Sequence, residues 1–268
     1  MTEPVIDLLD QTWTSIADLL SELSHADWDL PTDLPGWTVR DVVSHMIGTE
    51  RMLLGDDAPE PPAEPGPHVR NAIGEFNEAW VVARRGRPGA EILDEFRDVT
   101  ARRLEQLRAR PAEAWDEVGF TPEGEGPYRR FMEIRVFDCW EHEQDIRRAT
   151  DRPGHLDGPV AAHSVGEVTN KLGYIVAKKA GTPDGTTVTF DITGSLPMIL
   201  PVFVDGRARI LDREPSDPDA TIHLDTEAYN ALGCGRWSAE HALDTGRAEL
   251  SGDVDLARRV LDSMAFTI

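Results

Sequence analysis

The chain has 268 residues, and 27 Lys plus Arg against 49 Asp plus Glu leave a net charge of −22. A field of that sign repels nucleic-acid phosphates and anionic lipid headgroups, which excludes general nucleic-acid or membrane-surface binding as an expectation. A hydrophobic fraction of 40% with seven tryptophans suffices for a buried core, so the acidity is not that of a disordered chain.

From Val5 to Leu23, VIDLLDQTWTSIADLLSEL repeats apolar residues at helical spacing, with Ile6, Leu9, Trp13, Ile16, Leu19 and Leu20 on one face. Pro31, Pro35 and Gly36 interrupt the chain, after which Thr38 caps a helix carrying VRDVVSHMIGTERMLL. The acidic, proline-rich GDDAPEPPAEPGP that follows is expected to lack regular structure. Helical spacing resumes over 69–82 and 90–107, with a shorter helix near 112–117. A long helix over 128–149 distributes Ile134, Phe137, Cys139, Trp140 and Ile146 among charged positions. DRPGH at 151–155 is a stop signal. The first half reads as a bundle of four major helices.

A further helix is expected over 158–179, and then the period changes. TTVTFDI at 186–192 alternates polar and apolar residues, ILPVFV at 199–204 suits a strand, and RARIL after Gly206 reads as the returning arm of a hairpin. ATIHLD at 220–225 is another strand. EAYNALGCG and WSAEHALDTG suit short helices ending in glycine, before a strand in RAELSG and a terminal helix in DVDLARRVLDSM. The expectation is an α+β two-domain protein with its boundary near 151–160, divided as 1–155 and 156–268.

Cys139 and Cys234 are too few for a disulfide framework or a four-thiolate metal site and suit a reducing compartment. The opening MTEPVIDLLDQ has no basic segment leading into a long apolar run, and no 18-residue stretch is free enough of charge to span lipid; a cytoplasmic location is expected.

The segment FDCWEHEQDIRR carries the densest chemistry. Asp138 and His142 are four residues apart, which places both on one helical face about a turn apart. A carboxylate and a neutral imidazole suit Zn²⁺, and residue type equally allows Mn²⁺, Fe²⁺ or Ni²⁺. His45, on the earlier VVSH helix, completes a three-ligand site if the two helices face one another. Such a set leaves a position open for thiolate, water or substrate. Asp145 stands where it can accept from the His142 ring. The same D-x-x-x-H spacing also fits a solvated helix patch or an ordinary i,i+4 pair. Glu50, about 140° round the wheel from His45, is a weaker candidate, as is Glu141; Cys139 points elsewhere, into packing.

LPGWTVRDVVSHMIGTER at 34–51, FDCWEHEQDIRRATDRPG at 137–154 and TIHLDTEAYNALGCGRWSAEHALDTGRAELSGDVDLARRVL at 221–261 together resemble the mycothiol-dependent maleylpyruvate isomerase family, within the DinB-like metal-binding bundles. The resemblance implies a DinB-like four-helix bundle followed by a sterol-carrier-like α+β domain. It also implies a divalent-metal site, expected to hold zinc, at His45, Asp138 and His142; the family often has glutamate where this chain has Asp138. It further implies mycothiol as thiol cofactor or cosubstrate, a small electrophilic substrate, and isomerase or transferase chemistry. By the same resemblance Arg236 and Arg247 are candidate catalytic residues that hold a substrate carboxylate, because guanidinium bonds carboxylates bidentately. Residue patterns alone leave two other readings open: a ligand-binding or regulatory module with a structural bundle, and a metal-dependent hydrolase.

Overall fold

A computed structural model of the chain describes residues 3–64, 66–213 and 215–267. The chain divides between Gly154 and His155 into two compact units.

In the first unit, α1 (Pro4–Ser21) buries Ile6, Leu9, Trp13, Ile16, Leu19 and Leu20, the stripe read from periodicity. The second helix, α2 (Val39–Leu54), opens on a capping box: the Thr38 side chain accepts from Asp41 N, and the Asp41 carboxylate accepts from Thr38 N. It ends at Gly55, whose φ of 95° is left-handed and favours glycine. The other helices are α3 (Ala72–Val82), α4 (Gly89–Ala109) and α5 (Tyr128–Ala149). α1, α2, α4 and α5 pack as the bundle, and α3 lies against α2. A Cβ on Gly48 of α2 would stand 2.4 Å from the Trp80 ring of α3, so the glycine is what permits that close approach.

The described residues of the acidic proline-rich segment form no regular element; Pro65 lies outside them. The stretch near 112–117 forms a 3₁₀ turn, Ala112–Asp116. One element goes beyond the helical periodicity. A hairpin, β1 (Val118–Thr121) and β2 (Gly124–Pro127), precedes α5 where no strand was expected. Along α5, Ile134 and Phe137 are half-buried, while Phe131, Met132, Val136, Cys139, Trp140 and Ile146 form its apolar core face.

Glu95 on α4 ties this unit together by accepting hydrogen bonds from Arg51, Arg84 and Arg87. Burial works against its ionisation, but the three guanidinium groups prevail and hold it at about 2, below its ordinary 4.5. A depressed carboxylate stabilises the fold above its unfolded value and loses that contribution as pH falls through the folded one. Glu95→Gln is therefore expected to unfold more readily at neutral pH, and to lose less further stability than wild type between pH 4.5 and about 2. Thermal melts across that window check this; parallel curves for the two proteins count against it.

The second unit begins with α6 (Gly158–Tyr174), which continues as a π-turn over Ile175–Lys179. Its sheet comprises β3 (Thr187–Thr193), β4 (Met198–Asp205), β5 (Arg207–Ile210), β6 (Ala220–Asp225) and β7 (Ala248–Gly252), in the order β5-β4-β3-β6-β7. All pairings are antiparallel except β3 with β6. Val188, Phe190 and Ile192 of β3 and Ala220, Ile222 and Leu224 of β6 are buried. α7 (Thr226–Gly233) packs on β3 and β6, α8 (Ala239–Asp244) on β7, and α9 (Val254–Asp262) on β6 and β7. The fold is α+β: a helical unit followed by a unit of sheet and helices. Among the described residues no helix is long and apolar enough to cross a membrane.

Candidate metal centre

His45 sits mid-way along α2, a helix buried at every position from Val39 to Glu50. Asp138 and His142 lie one turn apart on α5, which packs against α2. The packing brings all three side chains together: one ligand atom from each lies within 4.8 Å of the others. Asp138 Oδ2 is 3.5 Å from His45 Nε2, and Asp138 Oδ1 is 3.7 Å from His142 Nε2. Ligands ~2.0–2.2 Å from a tetrahedral zinc stand ~3.3–3.6 Å apart, so the donor types and spacings fit a small divalent ion. The imidazole rings meet edge to face with centroids 4.9 Å apart.

Neighbouring groups act on all three side chains. His142 Nδ1 is 3.0 Å from Asp145 Oδ2, and the other Asp145 oxygen accepts from Arg148 Nη2 at 2.7 Å. That pairing leaves Nε2 as the nitrogen directed at Asp138. Burial pushes the His45 pKa below its ordinary 6.5 and outweighs the opposing pull of Asp138, which favours the neutral ring. At Asp138 burial acts against ionisation, but Arg135, His142 and His45 outweigh it and hold the carboxyl well below the usual range.

Trp37, just before the α2 cap, walls the cluster, its ring centroid 5.3 Å from His45 and 6.4 Å from His142. Its indole N–H donates to Glu78 Oε2 at 3.0 Å, and the same oxygen lies 3.1 Å from His68 Nε2. Cys139 is turned away: Trp13 Nε1 and Arg135 Nη2 donate to its sulfur at 3.4 and 3.2 Å. Burial pushes its thiol up to about 12, so it is no ready nucleophile.

An array beneath the site went unread in the sequence. Arg135 donates to Glu50 Oε1 through Nε at 2.9 Å and Nη2 at 2.8 Å, and through Nη1 to Asp138 Oδ2. Arg103 Nε donates to the other Glu50 oxygen at 2.9 Å. Arg103 occupies a core position of α4, following Phe96 and Val99 and preceding Leu107. An arginine in that apolar phase was the available signal.

A family model described as "Mycothiol maleylpyruvate isomerase N-terminal domain" matches residues 9–147, more than half of the chain and a span that includes His45, Asp138 and His142. The chain belongs to this enzyme family. A second model, the SCP-2 sterol transfer family, matches residues 177–263. Among solved structures, a mycothiol-dependent maleylpyruvate isomerase is similar with a TM-score of 0.56 and 15% identity, over 88% of this chain and 92% of that one. A histidine-to-alanine mutant of such an isomerase gives a TM-score of 0.55 and 15% identity, over 94% and 95% of the two chains. At that identity the likeness speaks for the shared fold. No curated protein matches the chain.

The two arginines proposed for substrate lie within the SCP-2-matched segment of this family member. Arg247 donates through Nε and Nη2 to both oxygens of Asp225, at 2.6 and 2.8 Å, and through Nη2 to Glu227 at 2.8 Å. Its guanidinium carbon is 5.1 Å from the Trp237 ring. Asp225 also caps α7 by accepting from Ala228 N, so Arg247 braces a helix start. Arg236 Nη1 donates to the Cys234 carbonyl at 2.9 Å, in the turn after α7.

Proposed function

We propose that this family member is a metal-dependent enzyme that uses a low-molecular-weight thiol, mycothiol, to isomerise a small electrophilic substrate or to transfer the thiol to it. The convergence of His45, Asp138 and His142 on helices α2 and α5 carries this reading. Two imidazoles and one carboxylate suit zinc and leave a coordination position for sulfur. A zinc ion bound there supplies the charge that makes a thiol a thiolate at neutral pH.

The chain's own groups prepare the site. Burial keeps His45 neutral, Arg135 helps to keep Asp138 ionised, and Asp145 fixes which nitrogen of His142 faces inward. Trp37 covers one side with an aromatic wall held by Glu78, which limits water at the thiolate. In an isomerisation, addition of the thiolate to the substrate alkene would leave an enolate on the adjoining carbonyl and a single bond free to rotate, and elimination would then restore the alkene and the thiolate. In a transfer, the enolate would instead take up the proton that the thiol gave up, and the protonated adduct is the product. Arg236 and Arg247 are proposed to hold a substrate carboxylate; for Arg247 this entails sharing the guanidinium with Asp225 and Glu227 or exchanging them for substrate.

Turnover of maleylpyruvate and a panel of electrophiles, with mycothiol, other small thiols or none, before and after metal removal and restoration, tests the reading. Activity is expected to require both thiol and metal. Robust turnover without thiol, or unchanged turnover after verified metal loss, overturns it. A thiol-independent but metal-dependent hydrolysis points instead to activated water, and binding of an apolar ligand without turnover to a carrier module. Arg236→Lys and Arg247→Lys keep charge but lose the fork, so a raised KM in either marks the carboxylate contact.

A further inference from the structure

Asp138 has a shorter reach than glutamate, and it is the least buried of the three candidate donors, its side chain 31% exposed against 7% and 8% for His45 and His142. A carboxylate with that freedom needs something else to fix its rotamer. Arg135 Nη1, one turn earlier on α5, donates to Asp138 Oδ2, the oxygen nearer His45. Arg135 cannot follow Asp138 if it swings, because its Nε and Nη2 both donate to Glu50 Oε1. Glu50 is pinned in turn by Arg103 Nε, and the Glu50 and Arg103 side chains are 1% and 0% exposed. Glu50 stands on α2, the helix of His45. The chain Arg103, Glu50, Arg135, Asp138 therefore runs from α4 through α2 to α5 and ties the carboxylate donor to the helix carrying an imidazole donor.

We propose that Arg135, anchored by Glu50, is a positioning residue: it holds one oxygen of Asp138 so that the short carboxylate stays aimed at the space between the two histidines. This rests on the metal reading given above. The guanidinium fork is the operative feature, since one group must bridge two carboxylates in fixed directions, which an ammonium point charge does not do. Groups that orient ligands in this way contribute ~10–100-fold to metal affinity.

The test is zinc affinity of the full chain, measured by competition with a chromophoric chelator, for wild type, Arg135→Lys, Glu50→Gln, Asp138→Asn and the Arg135→Lys/Asp138→Asn double variant, with circular dichroism as the check on folding. Arg135→Lys is expected to weaken zinc binding by ~10–100-fold at wild-type helix content, and Glu50→Gln to weaken it in the same direction although Glu50 touches no donor. In the Asp138→Asn background, Arg135→Lys is expected to add little, because its effect passes through Asp138. A merely structural role lowers the melting temperature and leaves zinc affinity unchanged, and that outcome overturns the inference. So do fully additive losses in the double variant. If Arg135→Lys does not fold, Glu50→Gln decides by the same affinity measurement. Wild-type protein that takes up no zinc at all overturns the metal reading itself, and this inference with it.

Discussion

His142→Ala is expected to strip the protein of most of its bound divalent metal and, with it, of thiol-dependent turnover. Of the three proposed donors His142 is the best prepared for coordination, since Asp145 engages its far nitrogen and Arg148 engages Asp145 in turn. Removing the imidazole leaves His45 and Asp138, and two donors do not hold zinc at the affinity of three. The loss should exceed the ~10–100-fold that an outer partner contributes, which is the range expected for Asp145→Asn. Elemental analysis of untagged protein gives the stoichiometry, expected near one metal per chain in wild type and near none in the variant. Circular dichroism should be little changed, because His142 is bonded along its own helix by Asp145. Wild-type metal content in His142→Ala would reject the donor assignment, whatever its effect on activity.

The helical unit was legible because its core faces repeat at helical spacing over many turns. The α1 stripe, the Thr38 cap and the glycine stop of α2 are all local signals. The hairpin of β1 and β2 was not legible, since each strand is four residues long and GEGP of β2 offers neither alternation nor strand-forming residues to partner β1. What makes it is the turn, with Gly124 at a φ of 112°, and the attachment to α5. In the second unit each strand showed in its own pattern, but the parallel pairing of β3 with β6 joins residues 32 apart across an intervening hairpin. No local pattern encodes that.

The candidate site divides along the same line. Asp138 and His142 are read from one helix, because i,i+4 geometry is local. That His45 faces them depends on how α2 packs on α5, and the sequence carried this only through family resemblance. Glu50 illustrates the limit of a helical wheel. The wheel correctly turns it away from His45, but it cannot reveal that the side chain ends between two buried arginines from two other helices. Its burial among charges follows from the bundle alone.

Replacing Glu50 has the largest expected effect on stability. Glu50→Ala leaves the Arg103 and Arg135 guanidiniums in the bundle interior without the carboxylate that bridges them. Stranding a buried charge in this way costs about 3–5 kcal/mol, a large share of the stability of an ordinary domain. Arg103→Met should cost less. It leaves Glu50 still bonded twice by Arg135, and methionine can fill the volume beside Met132 and Tyr128, which Arg103 now contacts through Nη2 at 3.3 and 3.2 Å. Tryptophan fluorescence during urea unfolding separates the two variants, since Trp13, Trp28, Trp37, Trp80, Trp115 and Trp140 lie in the helical unit and Trp237 in the other. The expected order of midpoints is wild type, then Arg103→Met, then Glu50→Ala. An Arg103→Met midpoint at or below that of Glu50→Ala means that Arg103, rather than the shared carboxylate, is the keystone of the array. The order follows from the pairing: deleting Glu50 leaves Arg103 with no carboxylate and Arg135 with Asp138 alone, whereas deleting Arg103 leaves Glu50 paired with Arg135.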